Sequence, residues 1–214
     1  MCARQDFEAR PRLLLVAGMP ASGKSTLARR LSERLGMPIL EKDDLKEALF
    51  DTLGFRSYAE KRALDAAANA TLLCAAGAML DGGSSVIVVN NFRRDMEAEV
   101  QTFLSLHACR AVLLLVTGDA EVLYERYTER ERSGVRHLGH ALQDHYPPRA
   151  GEEIRKTDMT RERFAEVFEA LGMADFRVDC PCVTVDMTEP DTVELDGLTA
   201  RLRELLKFGK ETEA

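Results

Sequence analysis

The sequence predicts an α/β fold, a five-stranded parallel sheet with helices on both faces, and three observations carry that prediction. Short apolar runs alternate with stretches of helical period along the whole chain. Two of the runs, at 85–89 and 111–116, are continuously apolar apart from the leading Ser85, as in strands covered on both sides. A glycine-rich turn links the first run to the first amphipathic stretch, the connection that places ligands at the carboxyl ends of parallel strands.

The elements follow in order. A strand is expected at 12–17 and a helix at 24–35, where Leu27, Leu31 and Leu35 recur at helical spacing and Gly36 with Pro38 stops it. The next strand, 38–40, is followed by Asp44 and Glu47, a capping box that starts a helix at 44–53 and leaves Asp43 free at the strand's carboxyl end. An alanine-rich helix spans 58–80, and helices at 96–107 and 120–132 flank the strand at 111–116. A further helix at 161–171 leads to a last strand at 183–186 and a helix at 191–207, amphipathic through Leu198, Leu202, Leu205 and Leu206. Between them, 133–158 is rich in charge, Gly and Pro and contains Tyr146-Pro-Pro148. That composition fits a mobile loop or lid, or a plain solvated connection. One domain over 1–214, with a lid or substrate region at about 120–158, is the expectation for this length.

The turn reads Gly18, Met19, Pro20, Ala21, Ser22, Gly23, Lys24, Ser25, Thr26. Two glycines before Lys-Ser form a P-loop, in which backbone N–H groups converge on phosphate oxygens without a Cβ in the way. Lys24 would carry a point charge to the β/γ bridge and Ser25 a hydroxyl to Mg2+, so the fold becomes the three-layer P-loop nucleoside triphosphate hydrolase fold with ATP and Mg2+ as cofactors. Asp43, beside that loop, could accept a proton from an attacking hydroxyl; it could equally be a helix cap. Arg126 and Arg130 share a helical face and repel unless an anion lies between them, whereas Glu125, Glu129 and Glu131 offer a neutralising alternative. Arg136 and His137 follow in a candidate lid, with His140 close behind and no third metal-ligand candidate at a clear spacing. Asn90, Phe92 and Arg93 end the third strand on the expected acceptor side, with Arg94 next to them and Phe55 and Tyr58 as weaker candidates.

Composition narrows the classes. With 45% hydrophobic and 30% charged residues the chain reads as a soluble protein, and a net charge of -7 argues against coating long nucleic acid while leaving room for one nucleic-acid end in a local basic pocket. No signal-type segment and no apolar stretch approaching a membrane span is read, so a cytoplasmic location without membrane partners is expected. Cys2, Cys74, Cys109, Cys180 and Cys182 are scattered and odd in number, so buried or incidental thiols without disulfides are expected. Neither an Asn-Lys-x-Asp segment nor a Leu-Ser-Gly-Gly signature occurs, which argues against a GTPase switch and an ABC-type ATPase.

Taken together, Gly18-Met-Pro-Ala-Ser-Gly-Lys-Ser-Thr26, Lys42-Asp-Asp-Leu-Lys46 and Tyr124-Glu-Arg-Tyr-Thr-Glu-Arg130 resemble the phosphate loop, Asp-Asp segment and lid helix of the small P-loop kinases related to polynucleotide kinase, chloramphenicol phosphotransferase and zeta toxin. The likeness runs from Leu13 to His140. It implies transfer of the ATP γ-phosphoryl group to a hydroxyl, with Asp43 matching the catalytic aspartate and Arg130, supported by Arg126, matching the lid arginine. Asn90 departs from the family's aspartate and brings no charge to a metal ion. The acceptor, a small molecule or a 5'-hydroxyl nucleic-acid end, stays open, as does the oligomeric state. A nucleotide-hydrolysing switch or binding module without an acceptor is the rival class.

Overall fold

The structure is a computed structural model and describes residues 10–152 and 159–208. Cys2, the end of the expected lid at 153–158 and both extremes of the 1–214 span lie outside the described residues. Five parallel strands form one sheet in the order β2-β3-β1-β4-β5: β1 (Arg12–Gly18), β2 (Ile39–Glu41), β3 (Val86–Val89), β4 (Arg110–Thr117) and β5 (Cys182–Asp186). β1 is central, with Leu15 opposite Val88 on one side and Leu113 on the other. Its period of two divides the core. Leu13 and Leu15 pack on one face with Leu72, Ala76 and Leu80 of α3 (Tyr58–Asp81) and Phe103 of α4 (Glu97–Leu106). Leu14 and Val16 pack on the other with Leu27 and Leu31 of α1 (Lys24–Leu35) and Leu195 and Leu202 of α8 (Leu195–Leu205). These β1 side chains are fully buried, each worth about 1.5–3 kcal/mol relative to exposure. The three-layer α/β fold read from the sequence is the observed one.

Several boundaries differ. Helix α2 (Lys42–Leu53) begins two residues earlier than the capping box implied: its N-cap is Glu41, with no side-chain cap, so Asp43 and Asp44 both sit in the first turn. Carboxylates there suit the positive end of the helix dipole without capping it. Helices α4 and α8 start late because 3₁₀ turns at Arg94–Met96 and Pro190–Thr192 precede them. Helix α3 is long and apolar enough by length and composition to cross a membrane, a property a core helix shares, and Leu72, Ala76 and Leu80 bury one of its faces against the sheet.

The described part of the expected lid is tied down rather than loose. After α5 (Ala120–Ser133), a short α6 (Leu138–Ala141) and the chain to Tyr146 lie across α2 and α3 as a strap. Phe55 and Tyr146 exchange backbone N–H donors at 3.0 and 2.8 Å. Lys61 Nζ donates to the carbonyl of His140 at 3.0 Å and to that of Leu142, while Phe50, Phe55 and Leu142 form a small apolar cluster beneath. Helix α7 (Arg161–Ala170) then packs on α5 through Phe164, Leu123 and Tyr127.

Candidate functional site

At the carboxyl ends of β1, β2 and β3 the turn from Gly18 to Thr26 forms one wall of a cleft. Gly18 has φ 142°, and a Cβ there would stand 2.1 Å from the Val116 carbonyl oxygen of β4, so the glycine is required first by the sheet itself. Gly23, at φ 82°, caps α1 without a side chain, leaving the first-turn N–H groups of that helix exposed to an anion. Ala21, a non-glycine at φ 62°, holds the strained left-handed conformation common at functional turns. Ser22 is buried and its hydroxyl has no partner. Met19 packs towards Leu123, Tyr127 and Phe164, joining the turn to α5 and α7.

Lys24 is buried and donates to the Met19 carbonyl at 2.8 Å. Burial lowers its ammonium to about 8, helped by Arg130 and opposed by Asp43 and Glu41. The Ser25 hydroxyl donates to Glu41, a β2 carboxylate the sequence reading passed over; Arg29 sits 3.5 Å from its other oxygen. Asp43, Asn90 and Arg130 line the same central space as Lys24, Ser25, Glu41 and Pro20. The Arg130 Nε is buried without a hydrogen-bond partner. A neighbouring space on the turn's outer side is lined by Ala21, Gly23, Thr26, Arg126 and Arg130. There Arg126 donates to the carbonyls of Met187 and Thr188, both at 2.7 Å, so its charge is already anchored to the loop after β5 rather than held only by an anion.

On the far side of Asp43 lies a basin of about 160 Å³ whose lining includes Lys42, Lys46, Asp65, Asn69, Asn90, Arg93, Arg136 and His140. Burial alone would raise the Asp43 carboxyl, but a protonated His140, then Lys42, Lys46 and Arg136, pull it below its usual value. His140 is itself held well below the usual imidazole range by burial and Arg136, so at pH 7 the neighbouring Lys42, Lys46 and Arg136 are the charges that favour the ionised Asp43. Asp65 is bridged by Lys42 and by Lys46 at 2.7 Å, and Asn90 donates to Asn69 Oδ1 at 2.9 Å. Asp65 and Asn69, four residues apart on α3, form a polar stripe with Lys61 that the alanine-rich sequence did display.

Four expected substrate contacts fall elsewhere. Phe92 is fully buried and stacks on Phe176 at 4.9 Å, which places it in the core instead of the cleft. His137 caps α6, accepting the Gly139 N–H at 3.1 Å, and its Nε2 meets Asp51 at 3.0 Å outside the basin. Phe55 is buried beneath the strap, whereas Tyr58 is exposed at the start of α3. Among the described residues no group of three or more His, Cys, Asp or Glu side chains is arranged for a metal ion, and the four described cysteines are free; Cys74 and Cys182 are exposed rather than buried.

The AAA domain family model matches residues 13–145, from β1 through the strap. The chain belongs to the AAA domain family. A protein from Chloroflexus aurantiacus J-10-fl, provisionally named a kinase, is similar at 29% identity and a TM-score of 0.75, over 92% of this chain and 98% of that one. A gluconokinase from Sinorhizobium meliloti 1021 shares 20% identity with a TM-score of 0.53, over 92% and 94% of the two chains. Shikimate kinase from Acinetobacter baumannii, solved with shikimate, shares 15% identity with a TM-score of 0.52, over 97% and 98%. No curated protein matches the sequence. The AAA domain here therefore has the ATP-binding fold of small P-loop kinases, with sugar and shikimate kinases among its structural neighbours. This likeness is one of fold and does not reach the particular relatives expected from the sequence, polynucleotide kinase, chloramphenicol phosphotransferase and zeta toxin.

Proposed function

We propose that the protein is an ATP-dependent phosphotransferase that moves the γ-phosphoryl group to a hydroxyl of an acceptor held in the basin beyond Asp43. One observation carries this reading: Asp43 lines both the space over the P-loop and the separate basin, so a single ionised carboxylate stands where two substrates would meet. The P-loop N–H groups and Lys24 would hold the β- and γ-phosphates, and Arg130, with its unpartnered Nε, would meet charge spreading over the phosphoryl oxygens. Arg126 would position Arg130's helix through its two carbonyl contacts. Ser25 and Glu41 bring hydroxyl and carboxylate oxygens together, the hard donors magnesium takes, and these two residues would hold it. When bound, the ion supplies charge neutralisation at the phosphates.

In the transfer, the acceptor oxygen forms its bond to the γ-phosphorus, the β/γ bridging bond breaks with ADP leaving, and the hydroxyl proton passes to Asp43. A carboxylate held below its usual value is a weak base, so Asp43 acts mainly by orienting the hydroxyl and receiving its proton late. A loose transition state asks for little more. A switch without an acceptor would leave the basin idle, which is why transfer is favoured. The test is ATP consumption by the purified protein with and without a panel of hydroxyl compounds and 5'-hydroxyl oligonucleotides. Acceptor-dependent turnover supports the proposal, and equal hydrolysis in its absence refutes it.

A further inference from the structure

The basin beyond Asp43 is rich in N–H donors and poor in acceptors to meet them. Lys46 spends one donor on Asp65 and Lys42 another; Arg136 spends NH1 on Glu131; Arg93 spends Nε and NH2 on Asp95. Apart from Lys46 Nζ lying 5.5 Å from the Phe50 ring centroid, the remaining N–H groups of these four cations meet no acceptor among the described residues, although their side chains are only 11–24% exposed. The carboxylates that balance the arginines stand behind them, Glu131 buried and Asp95 largely in solvent, so neither lines the basin. Of the two carboxylates that do, Asp65 is pinned between lysines and Asp43 faces the P-loop side as well. His140 adds no charge at neutral pH, its partner being Glu47 at 2.9 Å. A ligand that fills this space must bring acceptor oxygens, and an anion brings the strongest.

We propose that the acceptor is a small hydroxylated compound bearing a carboxylate or phosphate group, which Arg93, Arg136 and Lys46 hold while its hydroxyl faces Asp43. The inference rests on the phosphotransferase reading and deepens it. Size and surroundings favour a small molecule over a nucleic-acid end. The basin encloses only about 160 Å³, the strap supplies Arg136 and His140 to its lining, and a net charge of -7 repels a long polyanion. Bidentate guanidinium groups suit both carboxylate and phosphate, so geometry alone names the shared chemistry.

The experiment is calorimetric binding to the protein, with and without a non-hydrolysable MgATP analogue, of a panel in which each hydroxy acid or sugar phosphate is paired with its neutral counterpart. Gluconate against sorbitol serves the carboxylate arm and glucose 6-phosphate against glucose the phosphate arm. At least one anionic member should bind about tenfold or more tightly than its twin, the scale of a charged hydrogen bond out of bulk water. Arg136→Gln should bring that pair to within about twofold, as one such contact is removed. Because Arg136→Gln leaves Glu131 buried and unpaired, Arg93→Gln, whose partner Asp95 is exposed, provides a second variant with the same expected loss. If no anionic member of either arm binds better than its twin, or if both variants keep the preference, the inference is overturned; oligonucleotide binding in place of the small anions overturns it too. An anion preference without any binding of the MgATP analogue would instead refute the phosphotransferase reading and leave the basin's selectivity standing.

Discussion

One wall of the cleft comes from the single run Gly18 to Thr26, whereas the other draws Asp43 and Lys46 from α2, Asp65 and Asn69 from α3, Arg93 from the β3 loop, and Arg136 and His140 from the strap. The first wall works through backbone: a glycine forced by the Val116 carbonyl, a left-handed Ala21 and an uncapped helix start. The second works through side chains whose backbones are far apart in sequence. Backbone geometry tolerates little change, while side-chain linings can be rewritten without disturbing the sheet. The contrast explains why a phosphate-binding wall is easy to recognise and an acceptor wall is not.

The largest expected effect falls on the first wall. Lys24→Ala should lower turnover about a thousandfold, the upper range for losing one preorganised charge at a transferring group, and weaken ATP binding as well. Steady-state kinetics with calorimetry checks both. Asp43→Asn should break the second wall's contribution alone: transfer slows about a hundredfold while ATP affinity holds, a split that turnover and nucleotide titration resolve. Equal losses in both would mean the walls are not separable as described. Gly18→Ala should destabilise the protein by about 2–3 kcal/mol, since its Cβ meets a carbonyl oxygen that the sheet holds in place, and urea unfolding measures it. Gly139→Ala on the strap, where the new Cβ meets the Phe50 ring at 2.3 Å, should cost about 1–2 kcal/mol in the same assay, because a side chain can shift where a strand cannot.

The smallest effect is on pH. Lys24 is lowered to about 8 by burial, and bound phosphate favours its charged form, so ATP binding should take up protons near and above pH 8. Affinity should therefore fall as pH rises through 8. For folding, the unfolded lysine holds its proton up to its ordinary value of 10.5, so between about 8 and 10.5 the unfolded chain binds more protons and this group adds stability as pH rises. Calorimetry in buffers of different ionisation enthalpy reads the proton uptake, and Lys24→Arg should abolish it.

What the sequence disclosed follows the same division. All five strands were legible because each is a short run of mostly apolar, β-branched or alternating residues, and the P-loop because its spacing is local. The start of α2 was misread: Asp44 and Glu47 match a capping box by spacing, yet the chain turns helical at Lys42 and needs no side-chain cap. That error also hid Glu41, although two acids at i and i+2 at a strand's end were in view. Phe92 went to the core because Phe176, far along the chain, supplies the surface it stacks on, and no local pattern announces that partner. The strap read as a loop because Leu142 and Tyr146 have no helical or alternating period; they are held by contacts with Phe50 and Phe55. Long-range packing was the missing information for Phe92 and for the strap.

The central claim is that phosphate leaves ATP for a second molecule seated across Asp43. Following γ-³²P-labelled ATP through an incubation with a metabolite extract tests it most directly. The account predicts label in an organic phosphate ester, lost with Asp43→Asn; label appearing only as inorganic phosphate, at the same rate with or without the extract, would contradict it.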